Sequence, residues 1–136
     1  MKTQKIIYSK QTNSILVTAI PEYQDSRSSP FENIYVWTYH IHIENKGNIT
    51  AQLLNRHWKI VDASGQMKEV VGPGVIGMQP VLAPGDKFGY SSETALATPS
   101  GIMFGTYEMS TNLGEIFNVE IPAFSLDCPH IKESMN

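Results

Sequence analysis

A stretch of strict alternation at residues 34–44 constrains the fold of this chain more than any other feature. Its odd-numbered positions are aromatic or aliphatic, and its even-numbered positions become polar after Val36. Because successive side chains of a β-strand point to opposite faces, the pattern predicts a strand with one buried face. The predicted core set, from this strand and from others, is Tyr35, Trp37, Tyr39, Ile41, Trp58, Tyr107, Phe117, Val119 and Ile121.

Glycine and proline support a prediction of β structure for the rest of the chain. Of the 18 such residues, 11 fall between Gly72 and Gly105, and the longest stretch there without either is 90–98. Helix interiors tolerate glycine poorly and proline hardly at all. No more than a short helical turn therefore fits in this segment.

Seven or eight short strands are predicted in all, separated by turn signals. They lie at about 14–20, 34–44, 51–61, 66–71, 87–91, 102–110, 115–121 and 123–126. Pro21 is expected to end the first strand, and the polar stretch 24–29 to form a mobile loop. Short strands at even spacing are typical of a β-sandwich or barrel, and prolines at strand ends favour the sandwich.

The composition narrows the class of protein. A length of 136 residues suits one domain, with a core at about 14–126 and flexible tails. The chain has a single cysteine and no run of about 18 apolar residues, so we expect a cytoplasmic protein without membrane insertion. Its net charge is −3 and its basic residues are scattered, which argues against nucleic acid as a partner.

Four stretches of the chain, in this order, resemble the ApaG family. They are Leu53–Trp58, 72–82 with 84–86, Thr98–Tyr107 and Phe117–Leu126. The resemblance implies an all-β fold, a two-sheet sandwich like fibronectin III or immunoglobulin domains. It also implies a small bacterial protein linked by name to cobalt and magnesium efflux, with no settled enzymatic activity. Related domains attached to F-box proteins suggest an interaction module. Asn55, where serine is expected, and Glu93, near an expected glycine, depart from the family pattern.

Gly72, Gly74 and Gly77 spell the GxGxxG pattern of dinucleotide-binding loops. That mechanism needs a helix after the glycines, and Pro73 and Pro80 exclude one here. We favour the interpretation that the glycines serve a turn with φ > 0. The alternative is a group of backbone N–H donors that binds a nucleotide or pyrophosphate without a helix.

Arg56 and His57 form the second part of this candidate anion site. Arg56 has the same parity as Trp58, which places it on the core side of its strand. An unpaired buried charge is costly, so we expect its stem to be packed and its head to be paired or at the rim. The alternative is that Arg56 binds an anion near the glycine loop.

His40, His42 and Glu44 are predicted to share one strand face. Imidazole and carboxylate are plausible ligands for Zn²⁺ or Co²⁺, and Mg²⁺ is a further alternative. Residues two apart on a strand are separated by about 6.6 Å, so both imidazoles would have to lean together. We expect an ordinary solvated sheet face and no cofactor.

No nucleophile–base–acid set is visible in the sequence; Cys128 and His130 are only neighbours in the tail. We therefore expect a non-catalytic binding or protein-interaction domain with an unidentified protein partner, and homodimerisation stays open. The alternative is a protein that binds a nucleotide or pyrophosphate at the glycine loop, with metal-dependent hydrolysis as an extension. A direct metal carrier ranks last.

Overall fold

The computed structural model describes residues 5–130, and the outer parts of the two tails predicted to be flexible lie outside them. Nine strands follow one another: β1 (Tyr8–Thr12), β2 (Ile15–Tyr23), β3 (Tyr35–Asn45), β4 (Ala51–Asp62), β5 (Met67–Pro73), β6 (Val81–Leu82), β7 (Lys87–Leu96), β8 (Ser100–Thr111) and β9 (Ile116–Asp127). Two 3-10 turns, Asp25–Arg27 and Pro30–Glu32, lie between β2 and β3. No helix in this part of the chain is long and apolar enough to cross a membrane.

The strands form two antiparallel sheets, which confirms the predicted sandwich. The first sheet has the order β1-β2-β3-β7, and the second has the order β5-β4-β8-β9, with β6 paired to β4. The terminal strands are β1 and β7 in the first sheet and β5 and β9 in the second. The core lies between the two sheets and draws on both of them.

The predicted register of β3 is confirmed by the burial of Trp37, which is 1% exposed. The indole N–H of Trp37 donates a hydrogen bond to the carbonyl of Asp127 in β9, at 3.0 Å. This side chain therefore connects the two sheets. Of the predicted core set, only Tyr35 and Phe117 are half-buried, and both pack against the core from its margin.

Pro21 does not end β2, contrary to the prediction. Lys46 N–H donates to the Ser14 carbonyl at 2.8 Å, so even-numbered residues of β2 bond to β3 and odd-numbered ones face β1. The pairing with β1 stops at Ala19. Pro21 therefore loses no hydrogen bond by lacking an N–H.

Two other predicted boundaries are also wrong. The strand predicted at 87–91 continues as β7 to Leu96, because every residue of β7 pairs with β3. The pieces predicted at 115–121 and 123–126 are one strand, β9. Its register against β8 shifts at Pro122, where Gly105 faces Ile121. A β-bulge thus accommodates the proline without ending the strand.

Candidate functional site

Arg56 and the glycine loop lie together in the structure. Arg56 in β4 is paired with Gly72 in β5, and its Nη1 donates to the carbonyls of Pro73 and Gly74, both at 2.9 Å. A Cβ added to Gly72 would lie 3.2 Å from both Nη1 and Nη2. Gly72 therefore leaves room for the guanidinium group.

The other two glycines serve the path of the backbone. Val75 and Met78 exchange two hydrogen bonds, at 2.8 and 2.9 Å, around a two-residue turn. Ile76 and Gly77 in that turn have φ of 44° and 77°, as a type I′ turn requires. Gly74 has φ of 62°, and a Cβ there would lie 2.2 Å from the Met78 carbonyl oxygen.

The N–H groups of the loop mostly have partners within the protein. Gly74 N–H donates to the Leu54 carbonyl at 2.8 Å, while those of Val75 and Met78 donate to each other's carbonyls. The carbonyls of Pro73 and Gly74 point to Arg56. The loop thus leaves few of its N–H groups free to bind an anion.

The positive charge of Arg56 also acts on buried tyrosines of the core. Tyr90 and Tyr107 join their hydroxyls at 2.5 Å. Burial raises the pKa of Tyr39, Tyr90 and Tyr107, and the charge of Arg56 acts on each pKa in the opposite direction. Within residues 5–130 no carboxylate forms an ion pair with Arg56.

His57 lies on the other face of β4 from Arg56, so the structure separates these two predicted site residues. Its Nε2 lies 2.6 Å from Oε2 of Glu69 in β5. Asn55, on the same outer face, donates from Nδ2 to Oε1 of Glu108 at 2.7 Å. Both side chains stabilise cross-strand contacts on the outer surface of the second sheet.

His40, His42 and Glu44 share the outer face of the first sheet, as the alternation predicts. His40 places Nδ1 2.6 Å from Ser91 Oγ and Nε2 3.1 Å from Glu22 Oε1. The side chains of residues 5–130 include no group of three His, Cys, Asp or Glu residues that could hold a metal ion.

Glu22, His40 and Ser91 form a hydroxyl–imidazole–carboxylate chain that sequence reasoning missed. The three residues come from β2, β3 and β7, and no spacing along the chain connects them. The imidazole can accept the hydroxyl proton of Ser91. Ser91 lies within a regular strand, however, and not on the sharp turn that exposes the serine of α/β-hydrolases. The cluster links three strands of the first sheet.

An exposed apolar row crosses the outer face of the second sheet and was also missed. Met67, Val61 and Ile102 are direct cross-strand neighbours on β5, β4 and β8. Met67 is 56% exposed and Ile102 is 49% exposed, and Val61 between them is half-buried. We call these three residues the apolar row. The alternation within each strand could have placed each residue outside, but only the register between strands brings them together.

A groove of about 390 Å³ adjoins the apolar row. It passes along β4, β8 and β9, and its lining includes Phe104, Lys59, His57 and Glu120. Glu120 is paired with Lys10 and His57 with Glu69, whereas Lys59 forms no ion pair with any residue of 5–130. The groove thus combines an apolar wall with an available cation.

Comparison with known proteins establishes the family. The ApaG domain matches residues 25–111. Protein ApaG of Paramagnetospirillum magneticum is 56% identical over 130 residues, which cover 96% of this chain and the whole of the relative. The chain belongs to the ApaG family. Protein ApaG of Parvibaculum lavamentivorans is similar to the same extent, at 55% identity over 130 residues.

A solved structure of this family has the same architecture. A Bordetella pertussis protein named ApaA superimposes with a TM-score of 0.83 at 42% identity, covering 85% of this ApaG-family chain and 94% of its own. The two departures from the family pattern both lie on outer faces. Asn55 binds Glu108, and Glu93 pairs with Arg27 at 2.8 Å.

Proposed function

We propose that this ApaG-family chain is a non-catalytic protein-interaction domain, and that the outer face of its second sheet is the binding surface. The observation that supports this is the apolar row of Met67, Val61 and Ile102. Contiguous exposed apolar side chains, rimmed by polar ones, mark interaction sites on soluble domains. Here the rim includes Lys59, His57 and Glu69.

The partner should present an apolar segment next to an acidic side chain. The apolar segment would cover the row and the ring of Phe104, and the acidic group would pair with Lys59. Apolar anchors supply most of the affinity in such interfaces, and peripheral charge pairs mainly select the partner.

An affinity capture with variants of the row tests this proposal. The tagged wild type should retain a defined protein from a lysate of the source organism, and Ile102→Glu should lose it. Leu113→Glu is the matched control, because Leu113 is 71% exposed at the β8–β9 turn, away from the row. The captured protein is then purified and its affinity for each variant is measured. Equal affinity for wild type and Ile102→Glu would contradict the proposal.

A second function, binding of pyrophosphate or a nucleotide at the glycine loop, is favoured by one observation. Arg56 is a half-buried cation whose Nη1 binds only carbonyl oxygens in residues 5–130. If an anion binds there, pyrophosphate at 100 times its Kd should stabilise the fold by about 2.7 kcal/mol. Arg56→Gln should abolish that gain in a thermal-shift assay, and Lys59→Gln should retain it.

We further propose that any role in cobalt or magnesium efflux is indirect and passes through a protein partner. Both ring nitrogens of His40 already have partners, Ser91 and Glu22. Calorimetric titration of Co²⁺ into the apo domain should therefore give no stoichiometric signal. Micromolar binding that disappears in the His40→Ala/His42→Ala variant would show direct metal binding instead.

A further inference from the structure

Strand β7 is an open edge of the first sheet. It pairs with β3 along its whole length, and no other strand of residues 5–130 pairs with its second side. Edges of this kind present unpaired backbone N–H and C=O groups to any incoming strand. Natural proteins usually protect them with proline, bulges, short length or charged side chains, especially lysine. β7 has ten residues, no proline and a regular register.

The hydrogen bonds at the start of β7 fix which residues are available. Asn45 N–H donates to the Asp86 carbonyl at 3.0 Å, so even-numbered residues point their backbone groups to β3. The odd-numbered residues point theirs outward. They are Lys87, Gly89, Ser91, Glu93 and Ala95. Five consecutive pairing positions are thus free on this edge.

The charges on β7 are complementary to those of a second, antiparallel copy. A two-fold axis through Tyr90 pairs Lys87 of one copy with Glu93 of the other, and the same pair recurs on the far side of the axis. Gly89 then lies opposite Ser91, so small side chains occupy the centre of the outer face. Opposite charges directly across two strands are stabilising, and like charges are destabilising.

Strand β5, a terminal strand of the second sheet, lacks this self-complementarity. β5 ends at Pro73, which has no N–H to donate. The Pro73 carbonyl already accepts a hydrogen bond from the guanidinium of Arg56. At this end β5 therefore lacks the free backbone N–H and C=O groups that strand addition requires, whereas β7 keeps them.

We propose that this chain forms a two-fold symmetric dimer in which the β7 strands of two copies pair antiparallel about Tyr90. The two four-stranded sheets then become one continuous sheet of eight strands. Glu93, which pairs with Arg27 in the single chain, lies between Arg27 and Lys87 of the second copy. This interface is separate from the apolar row on the second sheet.

A charge-swap series measured by sedimentation velocity tests the dimer. The wild-type mass should be twice that of one chain, and Lys87→Glu should give the single-chain mass, because it places two acids opposite each other. The double variant Lys87→Glu/Glu93→Lys should restore the dimer. A single-chain mass for the wild type at millimolar concentration, or an unchanged dimer for Lys87→Glu, would overturn the proposal.

A proline variant tests the backbone pairing independently of charge. Ser91→Pro removes one outward N–H and no bond to β3, so it should abolish the dimer while the monomer keeps its circular dichroism spectrum. Ser91→Ala controls for the lost contact with His40, and Glu69→Pro on β5 controls for proline at an edge. Both controls should stay dimeric. A dimeric Ser91→Pro would refute strand pairing, and if this variant does not fold, the charge swap decides.

Discussion

At the scale of single residues, the glycine loop shows that one motif can contain glycines kept for different physical reasons. Gly72 has an ordinary φ and makes room for a guanidinium, whereas Gly74 has φ of 62° and no space for a side chain. The sequence predicted positive φ within the loop. It could not predict the room left at Gly72, because that depends on the pairing of β4 with β5.

Gly74→Ala should destabilise the fold by more than about 1 kcal/mol, because it combines a left-handed φ with a Cβ 2.2 Å from the Met78 oxygen. Gly65→Ala is the control, since Gly65 has φ of 86° but no atom within 4 Å of the added Cβ. In urea unfolding, the loss in free energy of unfolding should be largest for Gly74→Ala, smaller for Gly65→Ala and smallest for Gly72→Ala. Equal losses for Gly74 and Gly65 would mean that the close contact relaxes freely.

At the scale of strands, alternation predicted which residues face the core. The glycine and proline signals along the sequence, however, placed several strand ends wrongly. The positions of Trp37, Ile41 and Trp58 follow from parity alone. The continuation of β2 past Pro21 does not, because it depends on where β1 stops. The apolar row and the contact of His40 with Ser91 could not be predicted either, since both depend on the register between strands.

Trp37→Ala should cost roughly 3–5 kcal/mol, because the indole fills space between the sheets. Loss of its N–H would also leave the Asp127 carbonyl without this donor. The free energy of unfolding from urea titration measures this loss. Ile34→Ala, just before the same strand and 42% exposed, should change it by less than about 1 kcal/mol. A loss for Trp37→Ala no larger than that of the control would contradict the assigned register.

At the scale of the whole molecule, the buried tyrosines should control stability in alkaline solution. The hydroxyls of Tyr90 on β7 and Tyr107 on β8 meet between the two sheets, and Tyr39 on β3 is buried in the same core. Below about pH 9 each is protonated in both the folded and the unfolded chain and contributes no pH dependence. Above it the unfolded chain loses protons first, because burial raises the pKa of each tyrosine in the folded state.

The free energy of unfolding should therefore be flat up to about pH 9 and then fall, by up to about 1.4 kcal/mol per pH unit for each tyrosine. Urea titrations at a series of pH values measure the slope. The Tyr90→Phe/Tyr107→Phe variant should show a clearly shallower decline above pH 10. If its slope equals that of the wild type, the buried tyrosines do not determine alkaline unfolding.

The strand order has a consequence for how fast the chain folds. The β4–β5 and β8–β9 hairpins join neighbours in sequence, whereas β3–β7 and β4–β8 join strands with several others between them. Long loops must close before these contacts can form, and the entropy lost in closing them slows folding. Folds of this kind take about milliseconds to seconds to form. During that interval β4 lacks β8, and β3 lacks β7. The central strands, which are paired with a neighbour on both sides in the native sandwich, are then the ones most exposed to wrong pairing in a crowded cell.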